Sequence, residues 1–197
     1  MRKSPLPPFY KGGARGDLIK DSQMKKKLVA IIVILFLLSS ACTREKGGEA
    51  TGGIIIGSKA PDFSMTSLSG QQISLKDLKG QGVLVNFWAT WCYPCREEMD
   101  DLKAAYEKYK DQGIVILGID MKEGEETVKK FIESYKITYP ILIDTDGKVG
   151  DAYNVFGIPS SFFIDKDGVI RDIILGEMNQ DSINNKIERL ISMEKGN

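Results

Sequence analysis

Two uninterrupted apolar runs, residues 83–89 and 114–120, stand out in the pattern of hydrophobic and polar positions along the chain. Both runs are rich in β-branched and aromatic residues, which predicts strands that are buried on both faces. Apolar residues at spacings of three and four within 93–111, 125–135 and 181–193 predict amphipathic helices. Because strands and helices alternate here, we expect parallel strands joined by right-handed crossovers.

Shorter segments complete the predicted α/β fold. Two short segments flank Ser69-Gly70 and predict an N-terminal hairpin. Residues 140–143 predict a further short strand. Strands at 161–165 and 169–175 are separated by an Asp-Gly turn, which is typical of a β-hairpin and adds antiparallel strands. We therefore expect a mixed β-sheet with helices on both of its faces.

The segment 24–41 has the composition of an export signal. Three lysines follow Met24, an apolar run occupies 28–38, and small residues come next. The apolar run is short for a membrane span, which needs about 20 residues. A cleaved signal peptide is therefore the favoured interpretation, with an uncleaved N-terminal membrane anchor as the alternative.

The residues on either side of this signal differ from it in composition. Residues 1–23 show no periodic pattern, and we expect them to be a non-native upstream extension. Residues 42–56 are mostly polar and glycine-rich, which predicts a tether. The folded domain is expected to occupy 57–197.

The signal ends at a cysteine. The stretch from Leu38 to Cys42 resembles the lipobox of bacterial lipoproteins, although Ser39 stands where a leucine is usual. The resemblance implies that Cys42 is the site of lipid attachment. A free or disulfide-bonded Cys42 is the alternative.

Charge argues against one class of function. The chain carries 27 basic and 27 acidic residues, but residues 42–197 carry 19 basic and 25 acidic ones, a net charge of about −6. Nucleic-acid binding calls for a basic surface, so we expect no nucleic-acid partner.

The strongest chemical signal is the pair Cys92 and Cys95. The pair follows the strand at 83–89 and begins a helix, with Pro94 in the first turn. A zinc site would need four ligands, but the chain has one other cysteine and no histidine. A structural disulfide closing so short a loop would restrain the unfolded chain only slightly. The favoured interpretation is a redox-active dithiol.

The position of the pair suggests how the two thiols divide the work. Thiol–disulfide exchange needs a thiolate, and the N–H groups at a helix N-terminus stabilise one at Cys92. Cys95, one turn further along, is expected to be more buried and less reactive. Cys92 would attack a substrate disulfide, and Cys95 would resolve the mixed disulfide.

The sequence from Trp88 to Glu98 resembles the thioredoxin superfamily, and more narrowly the TlpA/ResA/CcmG-type branch of membrane-tethered extracytoplasmic thiol–disulfide oxidoreductases. The segment Ala60-Pro-Asp-Phe63 and the segment Gly157-Ile-Pro-Ser160 support the resemblance, which covers about 57–193. It implies a thioredoxin-like fold with an inserted αβ segment at about 121–143.

The resemblance also implies roles for particular residues. Pro159 would form a cis peptide bond with Ile158 and face the cysteines, so that a substrate strand can pair there; an ordinary trans-proline is the alternative. Trp91 would flank the substrate groove. Glu98 would tune the thiol pKa values and move protons, and a solvated helix charge is its alternative. Asn86 stands where cytoplasmic thioredoxins carry a buried Asp, which makes Glu98 the better proton carrier.

Relatives often carry a helix-kinking proline soon after this glutamate, whereas this chain has Met99-Asp100. We therefore expect a straighter, continuous helix across 93–111.

The function implied is a tethered reductase of disulfides in exported proteins such as apocytochrome c, recharged by a membrane thiol-transporting electron donor. We expect no metal ion and no other cofactor. A peroxiredoxin-like peroxidase is one alternative, but no proline precedes Cys92 in the spacing that peroxidatic cysteines use. A copper-binding assembly factor is another, but such proteins use a wider cysteine spacing and a histidine.

Overall fold

The computed structural model of the protein describes residues 54–195. Two 3₁₀ turns, Leu75–Leu78 and Lys110–Gln112, accompany the main elements. In chain order, the strands and α-helices are β1 (Ser64–Thr66), β2 (Gln72–Ser74), β3 (Gly82–Trp88), α1 (Tyr93–Glu97), α2 (Met99–Tyr109), β4 (Ile114–Met121), α3 (Glu125–Tyr135), β5 (Ile141–Asp144), α4 (Lys148–Ala152), β6 (Ser160–Ile164), β7 (Ile170–Leu175) and α5 (Gln180–Lys195).

A five-stranded sheet with the order β5-β4-β3-β6-β7 forms the centre of the fold. Strand β3 pairs in parallel with β4 and antiparallel with β6, and β4 pairs in parallel with β5. Strands β1 and β2 form a separate antiparallel hairpin. The predicted mixed sheet and the predicted N-terminal hairpin are thus confirmed.

The central strand β3 is buried along its whole length, as its unbroken apolar run predicts. On one face of the sheet, Leu84 and Trp88 belong to the core that α2, α3 and α5 complete. On the other face, Val83, Val85 and Phe87 belong to a core closed by the N-terminal hairpin and by residues around α4. Helices therefore cover both faces, as predicted.

The helix predicted at 93–111 is not continuous. It is divided at Glu98, which separates α1 from α2 and has φ −83° and ψ −9°. The absence of a proline therefore does not leave one unbroken helix across 93–111. The break coincides with a glutamate whose side chain is held inward by buried hydrogen-bond donors, described below.

The predictions for the N-terminal extension, the signal, the lipobox cysteine Cys42 and most of the tether fall outside the described residues. Between residues 54 and 195, no helix combines the length and the apolar character that a membrane crossing requires.

A close approach at Gly118 gives a test of the packing. A Cβ atom added there would lie 2.6 Å from Ile141 Cδ1, 3.0 Å from Trp88 Nε1 and 3.1 Å from Tyr139 Cε2. We predict that Gly118→Ala lowers the free energy of unfolding by about 1–3 kcal/mol, because a packed core accommodates added volume poorly. Urea unfolding measures this. Gly124→Ala is the control, since a Cβ there meets open space; equal losses in both variants would contradict the packing.

Candidate active site

Cys92 and Cys95 form a disulfide with an S–S distance of 2.02 Å at the carboxyl end of β3. Cys92 is the N-cap of α1, and Pro94 lies in the first turn of that helix, as predicted. The backbone N–H of Cys95 points at Cys92 Sγ across 3.3 Å. Cys92 is 4% exposed and Cys95 is 1% exposed, so Cys95, the predicted resolving cysteine, is the more buried of the two.

The break at Glu98 changes how a thiolate at Cys92 would be stabilised. Helix α1 has only five residues, so the dipole of a long helix is not available to it. The N–H of Cys95 is the group placed to donate to the sulfur, and such a bond favours the charged form of a thiol. The stabilisation is therefore local to the Cys-x-x-Cys turn.

Glu98 is buried beneath the surface, with 1% of its area exposed. Its Oε1 accepts a hydrogen bond from Asn86 Nδ2 at 2.7 Å, and its Oε2 accepts one from the Met178 N–H at 2.9 Å. Asn86 also donates to Ser161 Oγ at 2.9 Å, which fixes the amide in the core. Glu98 is thus a buried, oriented carboxyl group, unlike its exposed neighbour Glu97.

Burial raises the pKa of Glu98 to about 7, because desolvation penalises the charged carboxylate more than the bonds from Met178 and Asn86 favour it. Negative charge on Glu177 and Asp101 acts on this pKa in the same direction as burial. A carboxyl group with such a pKa can hold or release a proton near neutral pH.

The Ile158–Pro159 peptide bond is cis, as the resemblance implies. The carbonyl oxygen of Ile158 lies 3.7 Å from Cys92 Sγ. The carbonyl oxygen of Pro159 accepts a bond from the Gly176 N–H at 2.9 Å, which ties this segment to the end of β7. The structure thus brings Cys92 and the predicted substrate-pairing residues Ile158 and Pro159 together.

Exposed aromatic side chains lie close in sequence to Cys92 and to Pro159. Trp91 is 69% exposed, which agrees with its expected place beside a substrate groove. Tyr93 is 63% exposed and Phe156 is 96% exposed, and the sequence analysis assigned neither of them a role. An aromatic residue within three positions of a reactive cysteine or a cis-proline is the signal that could have found them.

Two acidic residues behind the cysteine loop were not predicted from the sequence. Asp120 is fully buried at the carboxyl end of β4, and Glu123 bonds to Thr90, two residues before Cys92. Because β3 and β4 are parallel and adjacent, their carboxyl ends meet at the same edge of the sheet. An acidic residue at the end of a buried strand was the available signal.

Within residues 54–195, no three side chains of His, Cys, Asp or Glu are grouped so that they could hold a metal ion.

A mixed sheet with a Cys-x-x-Cys disulfide at the end of its central strand and a cis-proline opposite defines a thioredoxin-like protein with a redox-active cysteine pair. The chain belongs to the AhpC/TSA family, whose model matches residues 56–173.

Individual relatives agree with this assignment. The chain is 42% identical over 135 residues to the thiol-disulfide oxidoreductase ResA of Bacillus anthracis, covering 68% of this chain and 78% of that protein. It is 41% identical over 139 residues to the thioredoxin-like protein YneN of Bacillus subtilis (strain 168), covering 69% and 81%. A solved thiol:disulfide interchange protein of the thioredoxin family from Chlorobium tepidum TLS superposes with a TM-score of 0.64 at 30% identity, covering 71% and 99%.

The recognised resemblance, the thioredoxin-like fold and the enzyme class are thereby confirmed. The protein is a thiol–disulfide oxidoreductase whose redox-active groups are Cys92 and Cys95.

The raised pKa of Glu98 predicts how the stability of the oxidised protein varies with pH. Between pH 4.5 and about 7, the folded state holds a proton on Glu98 that the unfolded state has released, so stability falls as pH rises. Glu98→Gln imitates the protonated carboxyl group. We predict that the free energy of unfolding of Glu98→Gln, measured relative to that of the wild type, rises by up to about 3 kcal/mol between pH 4.5 and 8. Urea unfolding at each pH measures this difference.

Glu97→Gln is the matched control for this experiment, since Glu97 is the adjacent glutamate and is exposed. Its difference from the wild type should vary little with pH. A pH-independent difference between Glu98→Gln and the wild type would contradict the raised pKa.

Proposed function

We propose that the protein is a membrane-tethered, extracytoplasmic reductant of disulfides in exported proteins, with apocytochrome c as the favoured substrate. One observation carries the proposal: the same chain contains a Cys-x-x-Cys site and a predicted export signal that ends at Cys42. The relatives named thiol-disulfide oxidoreductase support the exchange reaction. The choice of apocytochrome c is what the resemblance of the sequence to the TlpA/ResA/CcmG-type branch implies.

The reduced enzyme would act in two exchange steps. The Cys92 thiolate attacks one sulfur of the substrate disulfide, forming a mixed disulfide while the other substrate sulfur leaves as a thiolate and takes a proton. The Cys95 thiolate then attacks Cys92 Sγ, which re-forms the Cys92–Cys95 disulfide and releases the second substrate thiol. Two electrons pass from the enzyme dithiol to the substrate.

Glu98 would handle the proton of the second step. Cys95 is buried, so its thiol needs an internal acceptor before it can attack. Glu98 lies one helical turn after Cys95 and has a pKa near neutral pH, which suits it to take that proton. Asn86 and the Met178 N–H would hold the Glu98 carboxylate that accepts this proton, and the departing substrate thiolate would take up a proton in turn.

The substrate would bind across the segment at Ile158 and Pro159. The carbonyl oxygen of Ile158 is beside Cys92 Sγ, so a strand paired with this segment would carry its own sulfur to the nucleophile. Trp91 and Phe156 supply exposed aromatic surface on the loops that flank the approach.

The oxidised enzyme must be reduced again after each cycle. In an oxidising compartment, this calls for a membrane thiol-transporting protein as electron donor, and the lipid on Cys42 would keep the enzyme at the same membrane.

Trapping tests the division of work between the cysteines. We predict that reduced Cys95→Ser forms a stable mixed disulfide through Cys92 with an oxidised peptide carrying the haem-attachment sequence Cys-x-x-Cys-His, because no resolving thiol remains. Mass spectrometry of the adduct measures this. Cys92→Ser is the control and should trap little. Equal trapping by both variants would contradict the assigned roles, and equal trapping of a matched peptide without the histidine would contradict a preference for apocytochrome c.

Fractionation of bacterial cells tests the tether. We predict that the wild-type protein is in the membrane fraction with an acyl mass on Cys42, and that Cys42→Ala lacks the acyl mass and leaves that fraction. Retention of Cys42→Ala in the membrane at its full unprocessed mass would instead show an uncleaved N-terminal anchor.

A further inference from the structure

A second buried carboxyl group lies behind the active-site loop. Asp120 ends the buried part of β4 and is the register partner of Trp88, the last residue of β3. Its Oδ1 accepts a hydrogen bond from the Glu123 N–H at 3.2 Å. Its Oδ2 is buried and has no partner among the described residues. A buried, unsatisfied carboxylate oxygen is costly, so this atom needs an explanation.

Glu123 connects Asp120 to the cysteine loop. Its Oε2 accepts the Thr90 N–H at 2.6 Å, and its Oε1 accepts the Thr90 hydroxyl at 2.7 Å. One carboxylate therefore accepts from both hydrogen-bond donors of Thr90. The neighbouring Cys92 N–H donates to the Ala89 carbonyl oxygen at 3.1 Å, and this bond closes the turn from Ala89 to Cys92.

The Asp120 and Glu123 carboxyl groups interact with each other. The pKa of Asp120 is raised to about 8, first by burial and then by the hydrogen bond and the negative charge of Glu123. No other titratable group of the described chain contributes to this shift. Because both side chains are acceptors when ionised, a single proton between them satisfies Asp120 Oδ2 without removing the charge that binds Thr90.

We propose that Asp120 and Glu123 share one proton and form a positioning unit for the active-site loop. Neutral Asp120 donates from Oδ2 to the Glu123 carboxylate, Glu123 holds Thr90, and Thr90 sets the turn that places Cys92 Sγ beside the Ile158 carbonyl oxygen. The inference concerns the thiol–disulfide exchange itself and does not depend on the tether or on the natural substrate. Both residues act through Thr90 and are positioning residues.

The test compares Asp120→Asn, Asp120→Ala and Glu123→Ala in the purified full chain. Asparagine keeps an acceptor for the Glu123 N–H and supplies a permanent donor in place of the shared proton. The first readout is the rate constant for reduced enzyme with a disulfide-bonded Cys-x-x-Cys peptide. The second is the amide proton shift of Thr90 in the oxidised enzyme, where Cys92 and Cys95 do not titrate.

We expect both alanine variants to react about tenfold more slowly, because a displaced nucleophile loses the geometry of attack. Their Thr90 amide signal should move upfield as the bond to the carboxylate is lost. Asp120→Asn should remain within about twofold of the wild type on the same reasoning. Above about pH 8, the Thr90 signal should move in the wild type and stay fixed in Asp120→Asn.

Glu126→Gln is the matched control, since Glu126 is an exposed acid in the same segment. Where an alanine variant fails to fold, Thr90→Val decides the question, because it removes only the hydroxyl bond and should slow the reaction by about threefold. An unchanged rate and an unchanged Thr90 signal in Glu123→Ala, or an unchanged rate in Thr90→Val, would overturn the positioning role. A loss in Asp120→Asn equal to that in Asp120→Ala would overturn the shared proton.

Discussion

The burial of the Glu98 carboxyl group is the constraint on which the active site depends. Its two oxygens accept bonds from Asn86 on the central strand and from the Met178 N–H just before the last helix. A charged carboxylate in the core is costly unless it is bonded or protonated. Glu98 therefore joins three segments of the chain. It stands where the helix after the cysteines is divided, and it places a carboxyl group with a raised pKa within one turn of Cys95.

The rest of the site follows from where the parallel strands end. The carboxyl ends of β3 and β4 lie side by side, so the loop that carries Cys92 meets the loop that carries Glu123. The cis-proline segment approaches from the other side through β6, which also pairs with β3. Two buried carboxyl groups, Glu98 between α1 and α2 and Asp120 on β4, thus belong to different elements that adjoin the cysteine loop.

Much of this arrangement could be predicted from the sequence, because strands buried on both faces leave an unbroken apolar run. The helix break could not, since the apolar spacing continues through Met99 and Leu102 and carries no sign of a turn at Glu98. Glu97 and Glu98 are the same residue type at adjacent positions, and only the tertiary donors distinguish them. The bond between Glu123 and Thr90 joins residues 33 positions apart, so no local pattern records it.

The most direct test of this account is the titration of Glu98 itself. Carbon-13 NMR of the side-chain carboxyl group in the oxidised protein reports its ionisation without interference from Cys92 or Cys95, and Glu98→Gln assigns the signal. We predict a midpoint near pH 7, as burial requires. A midpoint near 4.5, the ordinary value for glutamate, would show that the carboxyl group is solvated and would contradict its place in the mechanism.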